Sequence, residues 1–142
     1  MHEVTVTGRI DASAEHVWDF VVDNRNDPLW CPMVTDVELL EGEPGLGALY
    51  RYRQGQGPGR PRLTAHLRTT RAERPRLLTW DGDGRGLPYA SSVRLRARDG
   101  HTVVRQTNRV TLPDRPQQLV WWSLAKVVLR LQLRNLRREL ER

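Results

Sequence analysis

Tyrosine hydroxyls, side-chain amides and indole N–H groups recur at strand spacing in this 142-residue chain. Tyr50 and Tyr52 lie two residues apart in the run 49–53. Tyr89, Ser91 and Val93 repeat that spacing, and so do Val104, Gln106 and Asn108. Residues two apart on a strand share a face. If the apolar side of each strand is the inner one, Tyr50, Tyr52, Ser91, Gln106 and Asn108 converge in one interior. The tyrosine parity is chosen over Leu49, Arg51 and Arg53 because guanidinium groups cost more to bury. Neutral donors of this kind polarise a carbonyl or hold an enolate, an electrostatic contribution that needs no covalent intermediate. Tyr50, Tyr52, Gln106 and Asn108 are therefore the candidate catalytic groups. Trp30, Trp80, Tyr89, Ser91, Val93, Val104, Trp122 and Leu129 are the candidate ligand-binding wall. Singly, Gln106 and Asn108 could equally satisfy backbone groups or buried water, and the tryptophans could be core. Five polar groups meeting in one apolar interior point instead to a ligand. A one-residue slip of register would exchange every assignment.

Other chemistries find little support. There is no Ser/His/Asp arrangement, phosphate loop or dinucleotide fingerprint. His2, His16, His66 and His101 share no metal-ligand spacing, and the single cysteine, Cys31, allows no intrachain disulfide, so neither metal nor cofactor is expected. Cys31 reads as a small buried apolar residue in preference to a reactive thiol at a cavity entrance. Asp23 and Asp27 could do acid–base work if buried. In the turn-forming run 23–28 they are expected to make turn and cap hydrogen bonds. That leaves no obvious inward-facing Asp, Glu or His, which tilts the balance slightly toward binding without catalysis. His66 falls on the outward parity. Trp121 and Trp122 point about 100° apart on a helix, so only one of them faces the interior squarely.

The elements that must position these groups follow from periodicity. Val4, Val6, Gly8 and Ile10 alternate with polar residues, which predicts a strand. Ser13 can cap a short helix through Val17, Trp18, Val21 and Val22. A second helical turn is expected at 28–30, before Pro32 forces Cys31 into an extended conformation. Strands follow over 34–40, 49–53, 63–70, 77–80, 89–98 and 101–111. Gly84 closes the fourth of these after Asp81-Gly82-Asp83, and Asp99-Gly100 joins the last two as a hairpin. From 114 to 142 runs one long helix, with Trp122, Ala125, Leu129, Leu133, Leu136 and Leu140 on its apolar face. One such helix across a curved antiparallel sheet leaves room for a ligand. The length suits a single domain, 1–142, without linker or repeat.

The net charge is +6, carried by 23 basic and 17 acidic residues, and Lys126 is the only lysine. Residues 1–48 hold ten acidic and two basic side chains; residues 49–142 hold seven and twenty-one. Such a split could steer anionic ligands or mark a self-association face. It does not form the aromatic-interleaved stripe of single-strand binders, so no nucleic-acid partner is expected. The greasiest run, 119–133, is interrupted by Lys126, Arg130 and Gln132 and is too short and charged to span a bilayer. With no signal-peptide pattern at the start, a cytoplasmic protein is expected.

Residues 10–20, Ile-Asp-Ala-Ser-Ala-Glu-His-Val-Trp-Asp-Phe, resemble the opening of the polyketide cyclase/dehydrase-like branch of the SRPBCC superfamily (START-like, birch-allergen-like). Trp30-Cys31-Pro32 resembles that family's Trp-x-Pro element, and Gly45-Leu46-Gly47 its entry into the third strand. The stretches 73–80 and 136–141 also fit, so the resemblance covers essentially the whole chain. It implies an α+β helix-grip fold: a curved antiparallel sheet of about seven strands wrapped around a long C-terminal helix, with two short helices after the first strand. It further implies a small apolar or polyketide-like ligand, with either cofactor-independent cyclisation or dehydration in natural-product biosynthesis or carriage or sensing of a lipid, quinone or natural product. A third reading rests on the residues themselves: pairing through the tryptophan-bearing helix or the basic face, as in a homodimer. Fold alone does not choose among them.

Overall fold

The computed structural model describes residues 2–55, 59, 62–84, 87–111 and 115–142; the side chains of 87 and 115–123 lie outside the described residues. The chain runs β1 (His2–Ile10), α1 (Ala14–Val21), a 3-10 helix (Asn24–Leu29), β2 (Val34–Glu41), β3 (Leu49–Gln54), β4 (Leu63–Glu73), β5 (Leu77–Gly84), β6 (Leu87–Arg98), β7 (His101–Val110) and α2 (Arg115–Leu140). All seven strands form one antiparallel sheet in the order β1-β7-β6-β5-β4-β3-β2. The sheet is open and curved and takes α2 on its inner side, the helix-grip arrangement.

Local chemistry sets the boundaries. Ser13 caps α1 by accepting from the His16 N–H at 3.1 Å. Asp99 and Gly100 both have positive φ, 40° and 84°, which suits a two-residue turn between β6 and β7. The alternation of β1 buries Val4, Val6 and Ile10, and Gly8 lies under α2. A Cβ at Gly8 would come within 3.1 Å of Leu133 Cδ1, so its missing side chain lets the helix sit close. Ala125, Leu129, Leu133, Leu136 and Leu140 form the buried face of α2, as their spacing predicts.

Two expectations are corrected. The second short helix is a 3-10 helix over Asn24–Leu29, not a turn at 28–30, and Pro28 lies inside it. Its start is set by Asp23, whose side chain accepts from the Arg25 N–H at 3.0 Å. The Asp81–Gly84 stretch is not a closing turn but the second half of β5, paired with both neighbours. There Gly82 admits the β4 backbone so closely that a Cβ would sit 1.9 Å from the His66 carbonyl oxygen. β4 also extends past Thr70 to Glu73, across a register shift between Thr69 and Arg71.

Candidate functional site

The 3-10 helix, strands β3 and β5–β7 and helix α2 bring polar groups to one partly open pocket. Its volume is about 80 Å³, and its wall includes Asn24, Asp27, Trp30, Tyr52, Trp80 and Gln106. A drug-sized ligand takes roughly 300–1,000 Å³, so this space accepts one small group or a few waters.

One wall is a continuous hydrogen-bond chain. Trp80 Nε1 donates to Asn24 Oδ1 at 3.1 Å, and Asn24 Nδ2 donates to the Tyr52 hydroxyl at 2.6 Å. Tyr52 in turn donates to Asp27 Oδ2, while Trp30 Nε1 donates to Asp27 Oδ1 at 3.2 Å. Asn24, Asp27, Tyr52, Trp30 and Trp80 are all buried. Burial dominates the ionisation of Asp27 and pushes its carboxyl up to about 7, against the opposing pull of the Tyr52 and Trp30 donors. Burial, and then the Asp27 charge, also raises the Tyr52 phenol well above its ordinary range. Asp23 is the opposite case: hydrogen bonds from Arg25 hold it below the usual carboxylate value at the surface.

The far wall is simpler. Ser91 Oγ donates to Asn108 Oδ1 at 2.8 Å. Gln106 Nε2 donates to Gln132 Oε1 on α2 at 3.0 Å, and the buried Gln106 Oε1 has no partner among the described residues. Asn135 of α2 donates to the Trp30 carbonyl oxygen at 3.1 Å, tying the helix to the end of the 3-10 turn.

This cavity, lying between a curved sheet and a C-terminal helix, is the architecture of a recognisable family. Residues 1–141 match the family described as polyketide cyclase / dehydrase and lipid transport. The chain belongs to this family. Among curated proteins none matches the sequence. Solved structures of similar fold include a START superfamily protein from Mycobacterium smegmatis, 18% identical with a TM-score of 0.80 over 99% of this chain and 98% of that one. The Zhui aromatase/cyclase from Streptomyces sp. R1128 is 16% identical with a TM-score of 0.78, over 99% of this chain and 94% of that one. The di-domain ARO/CYC BexL from the BE-7585A biosynthetic pathway is 18% identical with a TM-score of 0.73; the match takes in 99% of this chain and 47% of that one. At these identities the likeness is one of fold.

Within this family fold the residues singled out by strand spacing fall into three groups. Tyr52, Gln106, Asn108, Trp30, Trp80, Tyr89, Ser91 and Val93 line the cavity together. Tyr50, Val104 and Leu129 are buried in the core but do not line it, and the Tyr50 hydroxyl has no partner among the described residues. The Trp122 side chain lies outside the described residues. The expectation that Asp27 serves only turn and cap bonds, and that no carboxylate faces inward, is corrected. The 3-10 helix begins one turn earlier than expected, which turns Asn24 and Asp27 into the cavity and leaves Asp23 to cap it. Asn24, Asp27, Gln54 and Gln132 are polar lining groups absent from the expected set, and Val34 and Leu67 apolar ones. Asp27 could have been found as an Asp three residues before a Trp, within reach of its indole. Cys31 also lines the cavity and is buried, which raises its thiol well above the ordinary range.

Among the described residues no group of His, Cys, Asp and Glu could hold a metal ion, and no helix is long and apolar enough to cross a membrane.

Proposed function

We propose that this chain binds a small, largely apolar, carbonyl-bearing molecule in the cavity and cyclises or dehydrates it by proton transfer, with Asp27 as acid and base and Tyr52 as its partner. The observation that carries this reading is the buried Asp27–Tyr52 pair on the cavity wall. A carboxyl group poised near 7 exchanges its proton at neutral pH in both directions. Ionised Asp27 removes a proton from the carbon between two carbonyls, and the enolate oxygen is held by neutral donors such as Asn108. The enolate carbon then bonds to a second carbonyl carbon of the same molecule. The resulting alkoxide takes back the proton from Asp27. Loss of water follows when Asp27 removes the next adjacent proton and returns it to the departing hydroxide. The cavity supplies orientation throughout. Its volume limits it to one ring or one acyl end of a longer molecule.

The second reading, a carrier or sensor of a lipid, quinone or natural product, is favoured by the fact that both Asp27 oxygens already accept hydrogen bonds. A panel of quinones, fatty acids and short poly-β-ketone analogues, read by native mass spectrometry, separates the two. The cyclase reading expects a bound analogue to be released lighter by one water, and Asp27→Asn to bind it without converting it. Tyr52→Phe, which removes a donor that favours ionised Asp27, is expected to move the pH dependence of conversion to higher pH. Recovery of every ligand unaltered would make the protein a carrier. Absence of any bound mass would sink both readings.

A further inference from the structure

The outer face of the sheet, opposite the cavity, carries a groove of about 260 Å³ across β5, β6 and β7. Thr79, Ser92 and Thr107 are cross-strand neighbours and make its floor a row of hydroxyls. Arg94 stands on one side of that row, Asp81 and Arg109 on the other, and Arg71 at its β4 end. Thr107 Oγ1 lies 2.9 Å from Thr5 Oγ1, and Thr79 Oγ1 lies 2.7 Å from Thr70 Oγ1. One bond in each pair consumes one hydroxyl proton, so each pair keeps a second O–H to donate.

The arginines on this face are arranged against their own stability. Arg94 and Arg105 are directly opposed across β6 and β7, and both are exposed. Among the described residues no ion pair reaches either of them. Like charges directly opposite weaken an antiparallel pair, and a bound anion reverses the sign of that interaction. Arg71 and Arg109 pair with Glu73 and Glu3 at the surface, contacts weak enough to yield to a multiply charged ligand. The donors are spread over three strands about 4.8 Å apart, a reach of roughly 10 Å. A lone carboxylate is too compact to engage them all. A single phosphate is hardly wider, whereas two linked phosphates span further and can meet donors on more than one strand.

We propose that this groove is a binding site for a small molecule that carries a diphosphate. Arg94 and Arg71 hold it over the Thr79–Ser92–Thr107 hydroxyls, and Arg105 adds its charge. Asp81 repels an anion at its own end and confines the ligand to the Arg94 end. The groove lies on the other face of the sheet from the pocket, and Ser91 of β6 borders both.

Amide spectra of the full chain, titrated at low ionic strength with pyrophosphate and separately with inorganic phosphate, test this. Saturable shifts are expected at Thr79, Ser92, Arg94 and Thr107, with pyrophosphate the tighter ligand. Replacing both cross-strand arginines (Arg94→Gln with Arg105→Gln) is expected to weaken pyrophosphate about tenfold. Asp81→Asn is expected to tighten it, whereas Arg130→Gln with Arg134→Gln on α2 leaves it unchanged. All five positions are exposed, so the same spectra verify that the fold is retained. Shifts scattered over every arginine surface, failure to saturate, or undiminished affinity in the Arg94→Gln/Arg105→Gln protein would each overturn the site.

Discussion

At the scale of single residues, Asp27 shows burial outweighing hydrogen bonding. Two donors, Tyr52 and Trp30, favour its charged form, yet desolvation wins and the folded-state value rises to about 7. A carboxyl group that binds its proton more tightly in the folded state stabilises the fold at acid pH. That contribution is complete below the unfolded value of 3.8 and is lost as pH rises through about 7. A shift of this size corresponds to a loss on the order of 4 kcal/mol. Urea unfolding across pH 4 to 8 is therefore expected to show stability falling with pH, and Asp27→Asn is expected to flatten that dependence. An equal slope in the two proteins would mean that Asp27 ionises as an ordinary surface carboxylate does. Gln106 is the complementary case, a buried acceptor left without a partner at the cavity. A ligand hydroxyl there would satisfy a group that otherwise costs about 1–3 kcal/mol.

At the scale of elements, β5 shows where local chemistry and tertiary placement disagree. Asp81-Gly82-Asp83-Gly84 has turn-forming residues, but in the sheet it is strand, paired on both sides. Gly82 is required there by the approach of the His66 backbone, not by a turn. Gly82→Ala is accordingly expected to push β4 and β5 apart and to destabilise the fold by about 1–3 kcal/mol, as overpacking does. Denaturant unfolding measures this, and a neutral result would show that the strands have slack. Most other elements were legible because their signals are local: the Ser13 cap, the Asp99-Gly100 turn and the 3.6-residue stripe of α2. Strand parity likewise placed Tyr52, Ser91, Gln106 and Asn108 on the inner face. The second short helix was expected, but its start at Asn24 was not legible, since the element is too short to carry a period and its register depends on Asp23. With it went Asn24 and Asp27, whose partners Trp80 and Tyr52 are 56 and 25 residues away.

At the scale of the whole molecule, the charge that is segregated along the chain is partly neutralised in space. Glu3–Arg109, Asp19–Arg74, Glu38–Arg51 and Glu41–Arg68 join the acidic first third to the basic remainder. No count along the sequence could reveal this, because it depends on which strands are neighbours. The same neighbours build the grip. Arg137 Nε donates to the Arg9 carbonyl oxygen at 2.9 Å, and Glu141 accepts from the Asp11 N–H at 2.8 Å. With the Asn135 and Gln132 bonds, the second half of α2 is fastened to β1, to the end of the 3-10 helix and to β7. A ligand enclosed between sheet and helix meets this assembled form only, so binding must add to stability. At a hundredfold excess over its dissociation constant the gain is about 2.7 kcal/mol, worth several degrees in Tm for a chain of this size. Thermal unfolding with any ligand from the panel is expected to show that rise. Asp27→Asn, which keeps the cavity's shape, is expected to retain it, and Ser91→Phe, which fills the cavity, to lose it. A rise that survives Ser91→Phe would place the ligand outside the grip.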